Sequence, residues 1–447
     1  MIPRRQFLKS SAYTLGFLGL SRLTHAAPAD RAASPYGPLL SDPKHLLDLP
    51  EGFSYRILSK TGDPMSDGLK VPGKHDGMAA FPGPGGTIIL VRNHELGLAE
   101  TNLGPLRNNN RLPENFDSGL PFDAGDANSP PYLGGTTNIV YNPKSGKVVG
   151  EFLSLFGTDR NCAGGAMPWG SWITCEEPAE LTSPRGRNHG WCFEVRATDE
   201  VALQKAVPLK ALGRFRHEAV ALDPATGILY ITEDRNDGLF YRCIPNTKGR
   251  FQDGGKLQAL ALVDRNSADL RNYDPVGNHI PEGAPLKVTW IDMENTDAPL
   301  DDLRIRGHAA GAARFARGEG IHFAEGAFYI CCTDGGPTRQ GQVYKLTPAT
   351  DSLELFIQPG ASDLLNNGDN LTVAPWGDLI LCEDLVNENA GQTPHLRGVT
   401  PQGEIYTLAR NAKNKSEFAG STFSPDGTIL FVNIQTPGLT LAITGPW

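Results

Sequence analysis

The chain has 447 residues, 51 of them Gly and 35 Pro, and its apolar runs are short and punctuated, which favours many brief strands over long helices. Its formal net charge of -9 argues against nucleic acid or an anionic membrane as partner, since both need a cationic face, and says nothing against binding cations.

The first segment reads as a targeting signal. In "PRRQFLK" Arg4 and Arg5 precede the apolar run "SAYTLGFLGL", which is too short and glycine-rich to span a bilayer, and a small-residue cleavage-like site follows near Ala26. The pattern resembles a twin-arginine signal over residues 1–27, so the expected partner is the twin-arginine export machinery. The expected location is periplasmic or secreted, with no membrane attachment after processing. Residues 28–447 are expected to form a single β-propeller domain, taken by default as a monomer.

Six similar units then follow in chain order. They are "HDGMAAFPGPGGTIILVRNHE" from His75, "NCAGGAMPWGSWITCEE" from Asn161, "HEAVALDPATGILYITEDR" from His217, "EGIHFAEGAFYICCTDGG" from Glu319, "DNLTVAPWGDLILCEDL" from Asp369 and "EFAGSTFSPDGTILFVNIQTPG" from Glu417. Each has an acidic or thiol residue at entry, a short strand, a Gly-containing turn and a hydrophobic strand. "GWCFEV", "GLFYRC", "GQVYKL" and "GEIYTL" read as third strands. The expected fold is all-β, a six-bladed β-propeller with long loop insertions over Glu114–Tyr132 and Arg265–Arg317.

In a propeller the innermost strands run beside one axis, so equivalent entry residues converge. Here those are Asp76, Cys162, Glu218, Glu319, Asp369 and Glu417. At an effective dielectric near 20, two like unit charges ~4 Å apart cost about 4 kcal/mol. Such a ring needs protons or cations, and hard multivalent cations suit carboxylate oxygens. One thiolate among them points to a transition metal, with iron a better match than calcium at that position, while the other positions suit calcium. No histidine pair is spaced to complete a zinc site, and no GxSxG elbow surrounds Ser171 or Ser421.

Other residues have plainer readings. Cys175, Cys192, Cys331 and Cys382 lie in apolar strands and read as core; Glu233, Asp234, Asp334, Glu383 and Asp384 end strands and read as turn-capping carboxylates. His94, His217 and His322 read as hydrogen-bonded structural groups, and Trp169 and Trp376 as packing residues at hairpin turns. Asn370 is balanced between a calcium ligand and a structural amide. "GGTTNIVYN" reads as a strand start, not a phosphate loop.

These residues resemble the PhoX-type alkaline phosphatases, from the signal to about Pro437. The most specific pieces are "NCAGGAMPWGSWITCEE", "RFRHEAVALDP", "ARGEGIHF", "GDNLTVAPWGDLILCED" and "EFAGSTFSPDG". The resemblance implies a secreted six-bladed propeller holding iron (Fe3+) and calcium (Ca2+), with small-molecule phosphate esters as substrates. It places the iron-binding cysteine on Cys162 and further metal ligands on Glu177, Glu218, Glu319, Asp369 and Glu417. "RNHE" resembles a family motif near the cluster, which implies Glu95 as a further metal ligand. Arg317 is implied as the phosphate-orienting catalytic arginine, since a guanidinium fork matches phosphoryl oxygens. The chain is shorter than the longer family members, which bears on substrate range. Two rivals remain at this point: a calcium-dependent propeller hydrolase of lactonase type, which has no use for a channel cysteine, and a non-catalytic periplasmic scaffold.

Overall fold

A computed structural model describes residues 34–106, 116–126, 129–177, 187–274, 277, 279–360, 364–385 and 392–447; the expected signal lies outside them. Strands carry the described chain, with one short α-helix, Leu303–Ala309, among the described residues. No helix of the described residues is long and apolar enough to cross a membrane.

Six inner strands surround an axis: His75–Pro82, Asn161–Met167, His217–Leu222, Gly318–Ala324, Gly368–Val373 and Phe418–Phe423. Each packs against the next in this order, and the last packs against the first. Such crowding demands small side chains. A Cβ on Gly77 would stand 2.5 Å from the Cα of Ala163, and one on Gly165 would stand 2.0 Å from the carbonyl oxygen of Val220. Glycine here is a condition of close approach, not of a turn. Below the bulges the inner strands enclose an axial cavity of about 500 Å³, lined mainly by small and apolar residues together with His322.

Outward from each inner strand the sheets are antiparallel. All six inner strands break register near their start, as between His75 and Met78 or between His217 and Val220. A bulge in that place re-aims the residues it contains. The C-terminal strands Phe418–Phe423, Leu430–Ile434 and Leu439–Thr444 take Ser54–Lys60, from the early part of the chain, as their fourth member, so segments from both parts of the chain close the ring together.

The architecture is all-β and propeller-like, but its hydrogen-bonded sheets do not divide into six separate four-stranded blades. Five sheets occur among the described residues, one with nine strands. The cause is the strand Leu286–Asp292, inside the stretch expected to be a loop insertion. It pairs with Gly255–Leu262 on one side and with Ser352–Ile357 on the other, fusing two sheets. A second difference concerns "GEIYTL". The strand Ile405–Asn411 is fourth in its sheet, because His395–Val399 takes the third place. The aromatic and β-branched pattern marks a strand without specifying its rank.

Candidate metal centre

The bulges bring five of the expected entry residues to one end of the axis. Asp76, Cys162, Glu218, Glu319 and Asp369 each follow the first residue of their inner strand and are buried or half-buried. Glu417 reaches the same place from a different row. The backbone N–H just past the second strand donates to the carbonyl of the residue before the inner strand, as Glu95 to Lys74, Glu177 to Arg160, Asp234 to Arg216 and Asp384 to Asn367. In the sixth unit Gln435 donates to Glu417 by the same bond. Glu417 therefore stands where the other units carry Lys74, Arg160, Arg216, Arg317 and Asn367, and Ala419 occupies the acid position. Four of those five, Lys74, Arg160, Arg317 and Asn367, have φ between 43° and 52°. This is a left-handed conformation that costs a non-glycine residue about 1–2 kcal/mol.

The site therefore has two rows of acids and one of bases. Nine carboxyl groups interact within it: Asp76, Glu95, Glu177, Glu218, Asp234, Glu319, Asp369, Asp384 and Glu417. The cations in contact with them are Lys74, Arg160, Arg216 and Arg317. The excess of negative charge shows in the proton affinities. Burial, then Glu95 and Asp369, pushes Asp76 well above the usual carboxylate range. Burial and Glu177 raise Glu95 to about 8, and burial and Asp384 raise Asp369 to about 7. Burial, with Asp369, Asp234 and Asp384 respectively as the next cause, raises Glu218, Glu319 and Glu417 far upward.

Three groups of carboxylates offer oxygens that all lie within 4.8 Å of one another: Asp76 with Glu95 and Glu417; Glu218 with Glu319 and Asp369; and Asp369 with Asp384 and Glu417. All the donors are hard oxygens, the set that suits calcium, so these residues fit the cations the fold family implies. Gln435 ties the first group together, its Nε2 donating to Asp76 at 3.2 Å and to Glu95 at 2.8 Å.

Two expected ligands lie outside these triads. Cys162 Sγ sits 3.3 Å from the carbonyl oxygen of His217 and 3.8 Å from that of Glu218. Burial and the neighbouring Glu218 and Glu177 hold it as a thiol. It lies at the edge of the cluster, and its soft sulfur fits a transition metal better than calcium. Glu177 accepts from Arg216, at 3.1 Å from Nε and 2.7 Å from Nη2.

Arg317 reaches the cluster with its fork engaged. Its Nε donates to Asp234 at 2.7 Å, and its Nη2 donates to Asp234 at 3.3 Å and to Glu319 at 2.6 Å. Burial works against this charge, but Glu319 and then Asp234 outweigh it and raise the Arg317 pKa.

The acids that end second strands divide by position. Glu233 accepts from Leu239 N–H and Tyr241 OH; Glu383 accepts from Asn366 and His395 N–H and from Arg397. Both are structural. Asp334 likewise accepts from Tyr273 and Arg339. Asp384 and Asp234, by contrast, turn into the cluster and are not turn caps, which corrects their reading from sequence. Asn370 spends its amide oxygen on the N–H of Gly420 at 2.7 Å, which favours the structural role. His94 and His217 bond backbone carbonyls of Gly73 and Gly213. Trp376 stacks on Trp447.

The family model described as "Alkaline phosphatase PhoX" matches residues 34–140 and 125–438. Among solved structures, Pseudomonas fluorescens PhoX in complex with vanadate, a transition state analogue, is 19% identical with a TM-score of 0.68. The alignment covers 90% of this chain and 96% of that one, and it shows a shared fold. The gluconolactonase XC5397 from Xanthomonas campestris aligns over 92% of this chain and 98% of its own at 12% identity, with a TM-score of only 0.40, which carries no argument. Among curated proteins none matches this sequence. With the family model spanning nearly all of the described residues and the acid cluster at the axis, the chain belongs to the alkaline phosphatase PhoX family.

Proposed function

We infer that this protein is a metal-dependent phosphatase, a phosphoric monoester hydrolase acting on small phosphate esters. The observation that carries the reading is the buried surplus of carboxylates at one end of the axis, in a chain of the PhoX family. Phosphate monoesters are among the slowest of uncatalysed substrates, requiring up to about 10²¹-fold acceleration.

We propose that the metals are calcium and iron. The three carboxylate triads would hold calcium, and Cys162, with Glu177 and Glu218 beside it, would hold iron. When bound, such cations supply Lewis-acid neutralisation of the phosphoryl oxygens and an activated water as nucleophile. The chain's own residues do the rest. Arg317 presents a guanidinium beside Glu319 and orients the phosphoryl group. Lys74 holds Glu95 at 3.8 Å from the edge of the site.

The same proposal counts the six inner strands as six blades, treats residues 28–447 as one domain, and places the protein, as a monomer, in the periplasm or outside the cell after twin-arginine export. What supports it is the twin-arginine-like "PRRQFLK" and the ring order of the inner strands. The test is elemental analysis of protein exported with its own signal, followed by turnover of p-nitrophenyl phosphate. Bound iron and calcium with hydrolysis support the reading. Both metals bound with no hydrolysis at any pH would leave a scaffold, and activity that survives Cys162→Ala would favour a calcium-only hydrolase.

A further inference from the structure

Arg317 is one of a pair. Arg216 occupies the same place in the neighbouring unit, two residues before the inner-strand acid Glu218, as Arg317 stands two before Glu319. The two arginines share one carboxylate. Asp234 accepts from Arg317 Nε at 2.7 Å with one oxygen, while its other oxygen lies 3.2 Å from Arg216 Nη2. Asp234 itself is 3% exposed, yet the guanidinium side chains stay open to the site, Arg216 at 29% and Arg317 at 23%. Lys74, in the same row, also reaches outside the cluster, to Glu100 at 2.6 Å.

A buried carboxylate held between two arginines, as Asp234 is, orients them. Like-charged guanidinium groups this close repel one another, and a dianion arriving between them relieves that repulsion as Asp234 does from behind.

We propose that Arg216 is a second phosphoryl-binding residue, forming with Arg317 a two-fork clamp for the dianionic phosphate group, and that Asp234 is the positioning residue that aligns both forks. Arg317 alone offers one positive charge to a phosphoryl group carrying nearly two. The second fork adds a further positive charge from the adjacent unit, on the side of Glu177 and Cys162.

The clamp rests on the phosphatase reading, so its test measures binding and not turnover. Inorganic phosphate is titrated calorimetrically into the metal-loaded full chain, with metal content measured for every variant. Arg216→Ala is expected to weaken phosphate binding about 10-fold or more at unchanged metal content, as loss of a charge-assisted bidentate contact does. Wild-type affinity in that variant overturns the clamp. Should Arg216→Ala lose metal, Arg216→Lys keeps the charge beside Glu177 but not the fork. Weakened phosphate binding at full metal content then supports the clamp, and unchanged binding overturns it. Asp234→Asn is expected to weaken phosphate binding in the wild-type background and to change nothing in Arg216→Ala/Arg317→Ala. Equal weakening in both backgrounds overturns its positioning role. A wild-type protein that binds phosphate yet hydrolyses no ester sinks the activity alone, and the same titrations still decide the clamp.

Discussion

Two buried charged regions of this molecule are built on opposite plans. In one, Arg92 is fully buried and meets Glu151 at 2.9 Å, with Ser59 and Thr440 accepting from its Nη1 and Thr137 from its Nη2. This network joins the first sheet to the closing sheet, and its charges cancel. At the axial end, nine carboxyl groups face four cations, and most of those acids bind protons far more tightly than usual. A balanced buried network holds a fold together, whereas an unbalanced one is incomplete without something from outside.

The largest effect expected from breaking this contrast is on activity. Chelation should abolish hydrolysis of p-nitrophenyl phosphate, and re-addition of iron and calcium should restore it. The balanced network should be untouched by chelation. It should respond instead to Glu151→Gln, which strands the Arg92 charge and is expected to cost about 3–5 kcal/mol in denaturant unfolding with metal content unchanged. Gly77→Ala probes the close approach that gathers the acids. Its Cβ would stand 2.5 Å from a backbone atom of Ala163, for an expected cost of about 1–3 kcal/mol in the same measurement. Glu417→Gln should act with the opposite sign to Glu151→Gln. By removing one like charge it should modestly raise the melting temperature of the metal-free protein at pH 8, while lowering the calcium retained. The smallest effect belongs to Lys210→Ala. The Lys210–Asp297 pair is exposed at 64% and 63%, and its loss should leave the melting temperature unchanged.

Much of the cluster was legible because it repeats. Five entry residues share one backbone position, and short strands with acid or thiol entries are visible in "HDG", "NCA", "HEA", "GEG" and "GDN". Glu417 was legible as an acid but not in its row, since the register of the sixth unit depends on the bond from Gln435. The base row was also present in the sequence: Lys74, Arg160, Arg216 and Arg317 each stand two residues before an acid or thiol, as "KHD", "RNC", "RHE" and "RGE". Only Arg317 stands out from the sequence, because the pattern gains meaning once all four units are superposed.

Adjacent acids show what a one-dimensional pattern conceals. Glu176 is fully buried and satisfied by His189 and by the N–H groups of Asp159, Gly190 and Trp191, while Glu177 next to it faces the cluster. The same division separates Glu233 from Asp234 and Glu383 from Asp384. The first acid of each pair ends its strand and bonds within the sheet, while the second lies just past the strand end, where its N–H bonds to the residue before the inner strand and its side chain turns to the axis. Fusion of two sheets through Leu286–Asp292 left no local trace, since edge pairing is decided by what lies alongside.

The central claim is that cations, and not protons, balance the axial acids at working pH, and thermal unfolding from pH 5 to 8.5 with and without bound metal tests it most directly. A carboxyl group whose pKa is raised by folding binds more protons folded than unfolded, so the metal-free protein loses stability as pH rises from the unfolded value to the folded one. For Glu95 that window runs from 4.5 to about 8, and for Asp369 from 3.8 to about 7. The metal-free melting temperature should therefore fall across this range while the metal-loaded one holds, so that the gap widens with pH. Two curves that run parallel, or a chain that retains no cations at pH 8 and is no less stable there than at pH 5, would contradict the account.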